Sequence, residues 1–327
     1  MEDQNKPVID VIIPAYRPDD SFQKLIGLLQ EQTVKPHHIY VLQTMGEGDE
    51  LMQPMNSDMT VHSVAKKDFD HGATRDYGAR LAAEGNQAAS DRHYILFMTQ
   101  DAVPANTHLI ETLAKAFEDE RTAIAYARQL AREGADVVEE LTRVHNYPPQ
   151  DQIKRKEDLE RLGIKTYFCS DVCAMYRLDR YQKMGGFVHP TIFNEDMIMA
   201  SSVIRAGYQV AYCAGAEVIH SHSYTCMQQF HRNFDLGVSQ KQYREVFESI
   251  SSEKEGAGYA KTVLLYLLKS GRRSISHCSV VLSWLAISLE RIMTDCRRDW
   301  CLHARCHRIM CYFMKMQHNV LFHEDTS

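Results

Sequence analysis

Four short segments of this 327-residue chain carry side chains able to do chemistry. Thr99-Gln100-Asp101-Ala102 directly follows the continuous apolar run 94–98. A carboxylate there projects past the end of a buried strand. Its hard oxygens suit Mg2+ or Mn2+, which keep phosphate oxygens in their shell. The same acid could instead be a turn residue that caps the helix near Asn106. Asn194-Glu195-Asp196 stands before the apolar run 197–200. Asn at an N-cap with acids in the first turn is ordinary helix chemistry. A helix start also holds a carboxylate rigidly, as a general base requires, and spacing does not choose between the two.

Glu217-Val218-Ile219-His220-Ser221-His222 puts two histidines at i and i+2, which share a face in a strand. A neutral imidazole there could complete a metal shell begun by Asp101, or each ring could be a hydrogen-bonded structural histidine. Asp70-His71-Gly72-Ala73-Thr74-Arg75 leads into a helix. Gly72 permits close backbone approach, the open helix N-terminus favours a phosphate, and Arg75 adds a charge-assisted donor. The alternative is a plain loop with a glycine turn.

These segments need elements to hold them. Residues 8–13 read as a buried strand ended by Pro14, followed by a helix over 21–32 with apolar residues at Phe22, Leu25, Ile26, Leu28 and Leu29. Strands follow at 38–42, 60–64, 94–98 and 124–127, with helices at 74–84 and 109–117. This alternation predicts an α/β fold with a mostly parallel sheet flanked by helices, whose ligand sits beyond the carboxyl ends of the strands. Residues 129–166 break the rhythm and read as an excursion able to form a lid or acceptor loop. Beyond it come a strand at 168–176, helices at 178–184 and 197–206, and a strand at 208–213. From about 225 onward the pattern is helical.

Composition narrows the classes further. No G-x-G-x-x-G follows the first strand and no G-x-x-x-x-G-K-[ST] occurs, which disfavours a dinucleotide-binding oxidoreductase and a P-loop NTPase. The formal charge of -6 is uneven. Residues 1–259 carry 27 Lys+Arg against 38 Asp+Glu, while residues 260–323 carry ten against three. A basic, partly apolar tail points to an anionic membrane surface rather than nucleic acid, or to a solvated helical face. The acidic start lacks a signal peptide's apolar core, and no run of 18 apolar residues occurs, so a cytoplasmic protein with reduced cysteines is expected. Cys296, Cys301, Cys306 and Cys311 recur every five residues, a spacing that turns about 140° per step on a helix and presents no common face.

The order of the motifs resembles glycosyltransferase family two, of GT-A fold, in its bacterial rhamnosyltransferase branch. The resemblance runs from about residue 8 to 240. It rests on Ile12-Ile13-Pro14-Ala15-Tyr16, Phe69-Asp70-His71-Gly72-Ala73-Thr74-Arg75-Asp76, Met98-Thr99-Gln100-Asp101-Ala102 and Asn146-Tyr147-Pro148. It continues with Phe168-Cys169-Ser170-Asp171-Val172-Cys173, Gly185-Gly186-Phe187, Asn194-Glu195-Asp196-Met197 and Val218-Ile219-His220-Ser221-His222-Ser223-Tyr224.

The resemblance implies a GT-A catalytic domain over 1–225 and a helical, basic extension over 226–327. It implies inverting transfer of a sugar, L-rhamnose from dTDP-L-rhamnose, to a glycan or polyprenyl-linked glycan acceptor. The alternatives are a UDP-hexose donor or a catalytically silent glycan-binding protein. Gln100-Asp101-Ala102 would be the branch's form of the D-x-D element, with Asp101 and His220, or His222, holding Mg2+ or Mn2+. Asp196 would be the base, with Glu195 supporting it or binding the acceptor. Pro14, Ala15, Tyr16, Asp70, Arg75 and Gln100 would line the nucleotide-sugar pocket. The sequence departs from the family where Thr99 or Gln100 replaces the first aspartate of D-x-D. It departs again where Leu42-Gln43-Thr44 replaces the strand-end acid that often binds the base.

Overall fold

A computed structural model describes residues 7–85, 92–222 and 224–247. The readings of the basic tail and of its cysteines lie outside these residues. Among the described residues, no helix is long and apolar enough to cross a membrane.

Strand β1 (Val8–Tyr16) is the sequence's first apolar run, extended by three residues. Helix α1 (Asp20–Gln30) starts where the Asp19 carboxylate accepts the Ser21 N–H at 3.0 Å, and it buries Phe22, Leu25, Ile26 and Leu29, as their spacing predicts. Strands β2 (His38–Met45) and β3 (Met59–Ala65), helix α2 (His71–Gly85) and strand β4 (His93–Met98) follow. All six residues of β4 are buried, because helices cover both faces of the sheet there. The next elements are a two-residue strand β5 (Val103–Pro104), α3 (Leu109–Lys115) and β6 (Thr122–Leu130). Then come α4 (Val137–Asn146), β7 (Gln152–Lys154), α5 (Leu159–Leu162), β8 (Cys173–Arg177) and α6 (Leu178–Lys183). The described chain ends with α7 (Glu195–Arg205), β9 (Gln209–Ile219), α8 (Cys226–Gln242) and α9 (Arg244–Phe247).

One nine-stranded sheet runs β3-β2-β1-β4-β8-β6-β9-β5, with β7 pairing β9. The parallel arrangement expected from the sequence holds for β3-β2-β1-β4 and for β6 against β9. Strand β8 instead runs antiparallel between β4 and β6, and β5 and β7 pair antiparallel with β9, so the sheet is mixed. A segment returning from a long excursion can enter the sheet in either direction, and strand-by-strand apolar patterning does not register which. The excursion is also less loop-like than expected. It forms α4 and sends β7 back onto β9, so part of it belongs to the sheet.

Alternate side chains of β1 feed two cores: Ile9, Val11, Ile13 and Ala15 pack on the α1 side, and Ile12 packs on the α2 side. Helix α2 lies so close to the sheet that a Cβ on Gly78 would sit 2.4 Å from Ile12 Cγ2. Cys169, Cys173 and Cys213 are free buried thiols.

Candidate active site

The first corner of the site forms where β4, β6 and β9 end together. Pairing of β5 with β9 sets Val103 opposite Ile219, which draws the preceding Asp101 toward the residues after β9. Pairing of β6 with β9 sets Leu130 opposite Ile219, and Leu130's carbonyl accepts the His220 N–H at 3.0 Å. His220 and His222 therefore lie just past the strand, not within it as a shared-face reading assumes. Their rings still converge, edge to face, with centroids 4.4 Å apart. His220 Nε2 is 3.5 Å from Asp101 Oδ1, His222 Nε2 is 3.5 Å from Asp101 Oδ2, and the two Nε2 atoms are 2.8 Å apart. One potential ligand atom from each residue falls within 4.8 Å of the others.

One carboxylate and two imidazoles fit a divalent cation, since together they offer oxygen and nitrogen lone pairs to one point. Burial, reinforced by His220, pulls His222 down to about 4, so its ring is neutral near pH 7.

The second corner is the start of α7. Asn194 adopts a left-handed conformation, φ 70°, at the N-cap, but its side chain makes no capping bond. Asn and Asp tolerate this region better than other residues with a Cβ. The Asp196 carboxylate accepts the Met197 N–H at 2.7 Å and the Asp171 N–H at 3.3 Å. Beside it, buried Arg75 donates to Glu195 at 3.0 Å and lies 3.8 Å from Asp171 Oδ2. Tyr176 O–H donates to Asp171 Oδ1 at 2.6 Å. Three carboxylates thus share one guanidinium in a low-dielectric pocket. Burial, and then the charge of Glu195, push Asp196 up to about 7, while burial drives Asp171 well above the ordinary range. A carboxylate poised near neutrality is suited to remove a proton from a hydroxyl.

The two corners are joined by two consecutive residues. Ser170 Oγ accepts a bond from Gln129, which also holds His220, while Asp171's main chain holds Asp196. The 169–172 segment therefore ties the acid–imidazole cluster to the carboxylate.

The nucleotide-pocket expectations fare differently. Tyr16 closes β1 at the rim, half-exposed, with Lys66 donating to its hydroxyl at 3.2 Å and both Lys66 and Arg17 over its ring. Pro14 and buried Ala15 lie within the strand, so only their backbone and small side chains face that end. Gln100 does not replace an aspartate as a ligand. Its amide mimics a strand pairing, accepting the Tyr16 N–H at 2.8 Å and donating to the Tyr16 carbonyl at 3.1 Å.

The reading of 70–75 as a phosphate cradle is corrected. Asp70 itself caps α2, accepting the Ala73 N–H at 2.8 Å, and its other oxygen takes the Thr191 N–H at 2.7 Å. The close approach that Gly72 allows is to the Val188 carbonyl, 2.3 Å from where a Cβ would lie. Arg75 is spent on Glu195, which makes it a support of the base and leaves it no open face for a phosphate. A sequence motif shows a cationic residue near a helix start. It does not show that buried acids 96 and 120 positions later will claim it.

Gln129, Glu139 and Lys66 were not singled out from the sequence, and Asp171 appeared only within the 168–173 motif, without a role. Gln129 carried a weak signal, a polar residue two positions past the expected strand 124–127.

The mixed α/β sheet flanked by helices is the fold of a GT-A glycosyltransferase. Residues 10–185 match the Glycosyl transferase family 2 profile, and the chain belongs to that family, in the branch of its rhamnosyltransferase relatives. The O-antigen chain rhamnosyltransferase RfbN of Salmonella typhimurium is 35% identical over 270 residues, 80% of this chain and 82% of that protein. The O-antigen chain rhamnosyltransferase WbaN of Salmonella anatum is 32% identical over 270 residues, 81% and 82% of the respective chains. Mannosyltransferase PcManGT from Pyrobaculum calidifontis, solved with GDP-Man and Mn2+, superposes with a TM-score of 0.53 over 88% of this chain and 87% of its own. Its 9% identity speaks to the fold alone.

Proposed function

We propose that this glycosyltransferase moves L-rhamnose from dTDP-L-rhamnose to a glycan or polyprenyl-linked glycan acceptor in bacterial surface polysaccharide synthesis, with inversion in a single displacement. The donor is inferred from the activity named for the two Salmonella relatives. The mechanism rests on one observation: through adjacent residues 170 and 171, a cluster fit for a cation is tied to the Asp196 carboxylate, which burial and Glu195 push up to about 7.

In this reading Asp101, His220 and His222 hold Mg2+ or Mn2+, and two imidazoles favour Mn2+ over the harder Mg2+. Such a cation supplies charge to offset what builds on the departing diphosphate. Asp196 takes the proton of the acceptor hydroxyl as that oxygen attacks the anomeric carbon from the face opposite the nucleotide. Glu195 and Arg75 hold the base at a strength matched to neutral pH. Tyr16, with Lys66 and Arg17 at its ring, stands at the nucleoside end.

The domain division expected from the sequence, catalytic over 1–225 and helical over 226–327, accommodates this reading, with the basic tail as a contact to the inner face of the cell membrane. The decisive test is a panel of nucleotide sugars with the purified full chain and Mn2+, read by mass spectrometry, with product configuration read by NMR. Turnover of dTDP-L-rhamnose with inverted product is expected. Turnover of a UDP-hexose with none of dTDP-L-rhamnose removes the donor assignment, and a retained configuration removes the single displacement.

A further inference from the structure

We propose that Gln129 is a positioning residue for the cation site: its amide fixes the tautomer of His220 so that Nε2 is presented bare toward Asp101. This rests on the Asp101–His220–His222 reading and extends it to a side chain outside the cluster.

The inference follows from which atoms can donate. Gln129 is 2% exposed and closes β6, next to β9. Arg143 Nη1 is bonded to one end of its amide. A guanidinium only donates, so that end is the oxygen. The same oxygen is 3.0 Å from His220 Nδ1. An amide oxygen only accepts, so Nδ1 carries the proton and, in the neutral ring, Nε2 carries the free pair. Nε2 is the atom 3.5 Å from Asp101 Oδ1. The amide nitrogen must then find acceptors, and it does, at Tyr147 Oη, 2.6 Å away, and Ser170 Oγ, 2.9 Å away. All four positions of the amide are used in one sense only, and a flipped amide would set N–H groups against both Arg143 and His220.

Three pieces of the molecule set this one rotamer. Arg143 comes from α4, where Glu139 lies 3.7 Å from it and also accepts the His222 N–H at 3.0 Å. Tyr147 follows α4 in the Asn-Tyr-Pro stretch, and Ser170 belongs to the 169–172 segment tied to Asp196. The excursion thus brackets both histidines, through Gln129 for His220 and through Glu139 for His222. Metal-bound imidazoles are commonly steered by such an acceptor on the opposite ring nitrogen, and its loss weakens metal affinity by roughly 10–100-fold.

The test uses the full chain and two readouts independent of turnover. Long-range 1H–15N correlation spectra of protein labelled at histidine report which ring nitrogen of His220 is protonated, assigned with a His220→Gln variant. Mn2+ alone, titrated and followed by the EPR signal of the free ion, gives the dissociation constant. The wild type is expected to show the Nδ1–H form and to bind Mn2+, and Asp101→Ala to lose that binding. Gln129→Met should lose the tautomer preference and bind about 10–100-fold more weakly. Gln129→Glu, which keeps an acceptor for His220 and Arg143, should recover most of both. Tyr147→Phe serves as a milder probe if the methionine variant does not fold, and it should show a mixed tautomer. Wild-type Mn2+ binding lost with Asp101→Ala but unchanged in a folded Gln129→Met or Tyr147→Phe, with the tautomer unchanged, overturns the role of Gln129 and leaves the cluster standing. No Mn2+ binding by the wild type, or binding indifferent to Asp101→Ala, takes down the cluster and the proposal with it.

Discussion

Replacing Asp196 with Asn should slow transfer severely while making the protein more stable, and the size of the gain should depend on pH in a defined way. The carboxyl is pushed from an ordinary 3.8 to about 7 by burial and by Glu195. At ~1.4 kcal/mol per pH unit, ionising it inside the fold costs at most about 4 kcal/mol. Asp196 is only partly buried by exposed area and has Arg75 nearby, and Asn loses the bond from the Asp171 N–H, so a net gain of ~1–2 kcal/mol is expected. A folded-state pKa above the unfolded one means the penalty is absent below the unfolded value. It grows between about 4 and about 7 and is level above that. The Tm of Asp196→Asn should therefore equal or fall slightly below that of the wild type at pH 4 and exceed it by a few degrees at pH 8. In parallel, kcat should fall by about 10^2–10^4 and the acid limb of the pH–rate profile near 7 should vanish. Differential scanning calorimetry across pH, beside transfer assays, measures both. A Tm difference that does not change between pH 4 and pH 8 would show that Asp196 is not a strained buried acid. Normal transfer by the variant would show that it is not the base.

Glu195→Gln removes the like charge next to Asp196 and should move the acid limb of kcat/KM to lower pH. A limb that stays in place or moves up excludes Glu195 as the group that strengthens the base. Arg75→Met leaves Glu195 and Asp171 without their cation and should cost about 3–5 kcal/mol in urea denaturation at pH 8. If Arg75 instead serves an incoming phosphate, stability will hardly change and donor KM will rise. Replacing Lys269, Arg272 and Arg273 with Gln should weaken flotation with anionic liposomes by about 100-fold, at ~1 kcal/mol per basic residue near the surface; equal flotation would assign the tail to protein contacts.

Patterns that are local in sequence were legible. The 3.6-residue spacing of Phe22, Leu25, Ile26 and Leu29 gives α1, and the unbroken apolar run after His93 gives β4, because each element must bury a face or both faces wherever it lies. The candidate residues Asp101, Asp196, His220 and His222 were also legible, since acids and histidines at the ends of apolar runs stand out whatever the fold. Their order along the chain carried the family.

Which of them meet, and what each polar group is used for, came only from the tertiary structure. The two-residue pairing of β5 with β9 brings Asp101 to His220, and nothing in residues 103 and 104 announces it. Arg75 reads as a free cation until Glu195, 120 positions away, is folded against it, and Gln129 reads as an ordinary polar strand residue until four partners close on its amide. Burial pattern depends on a residue's own neighbours in the chain and survives without the fold. Hydrogen-bond and charge compensation depends on partners supplied by distant segments, and so exists only once those segments are packed together.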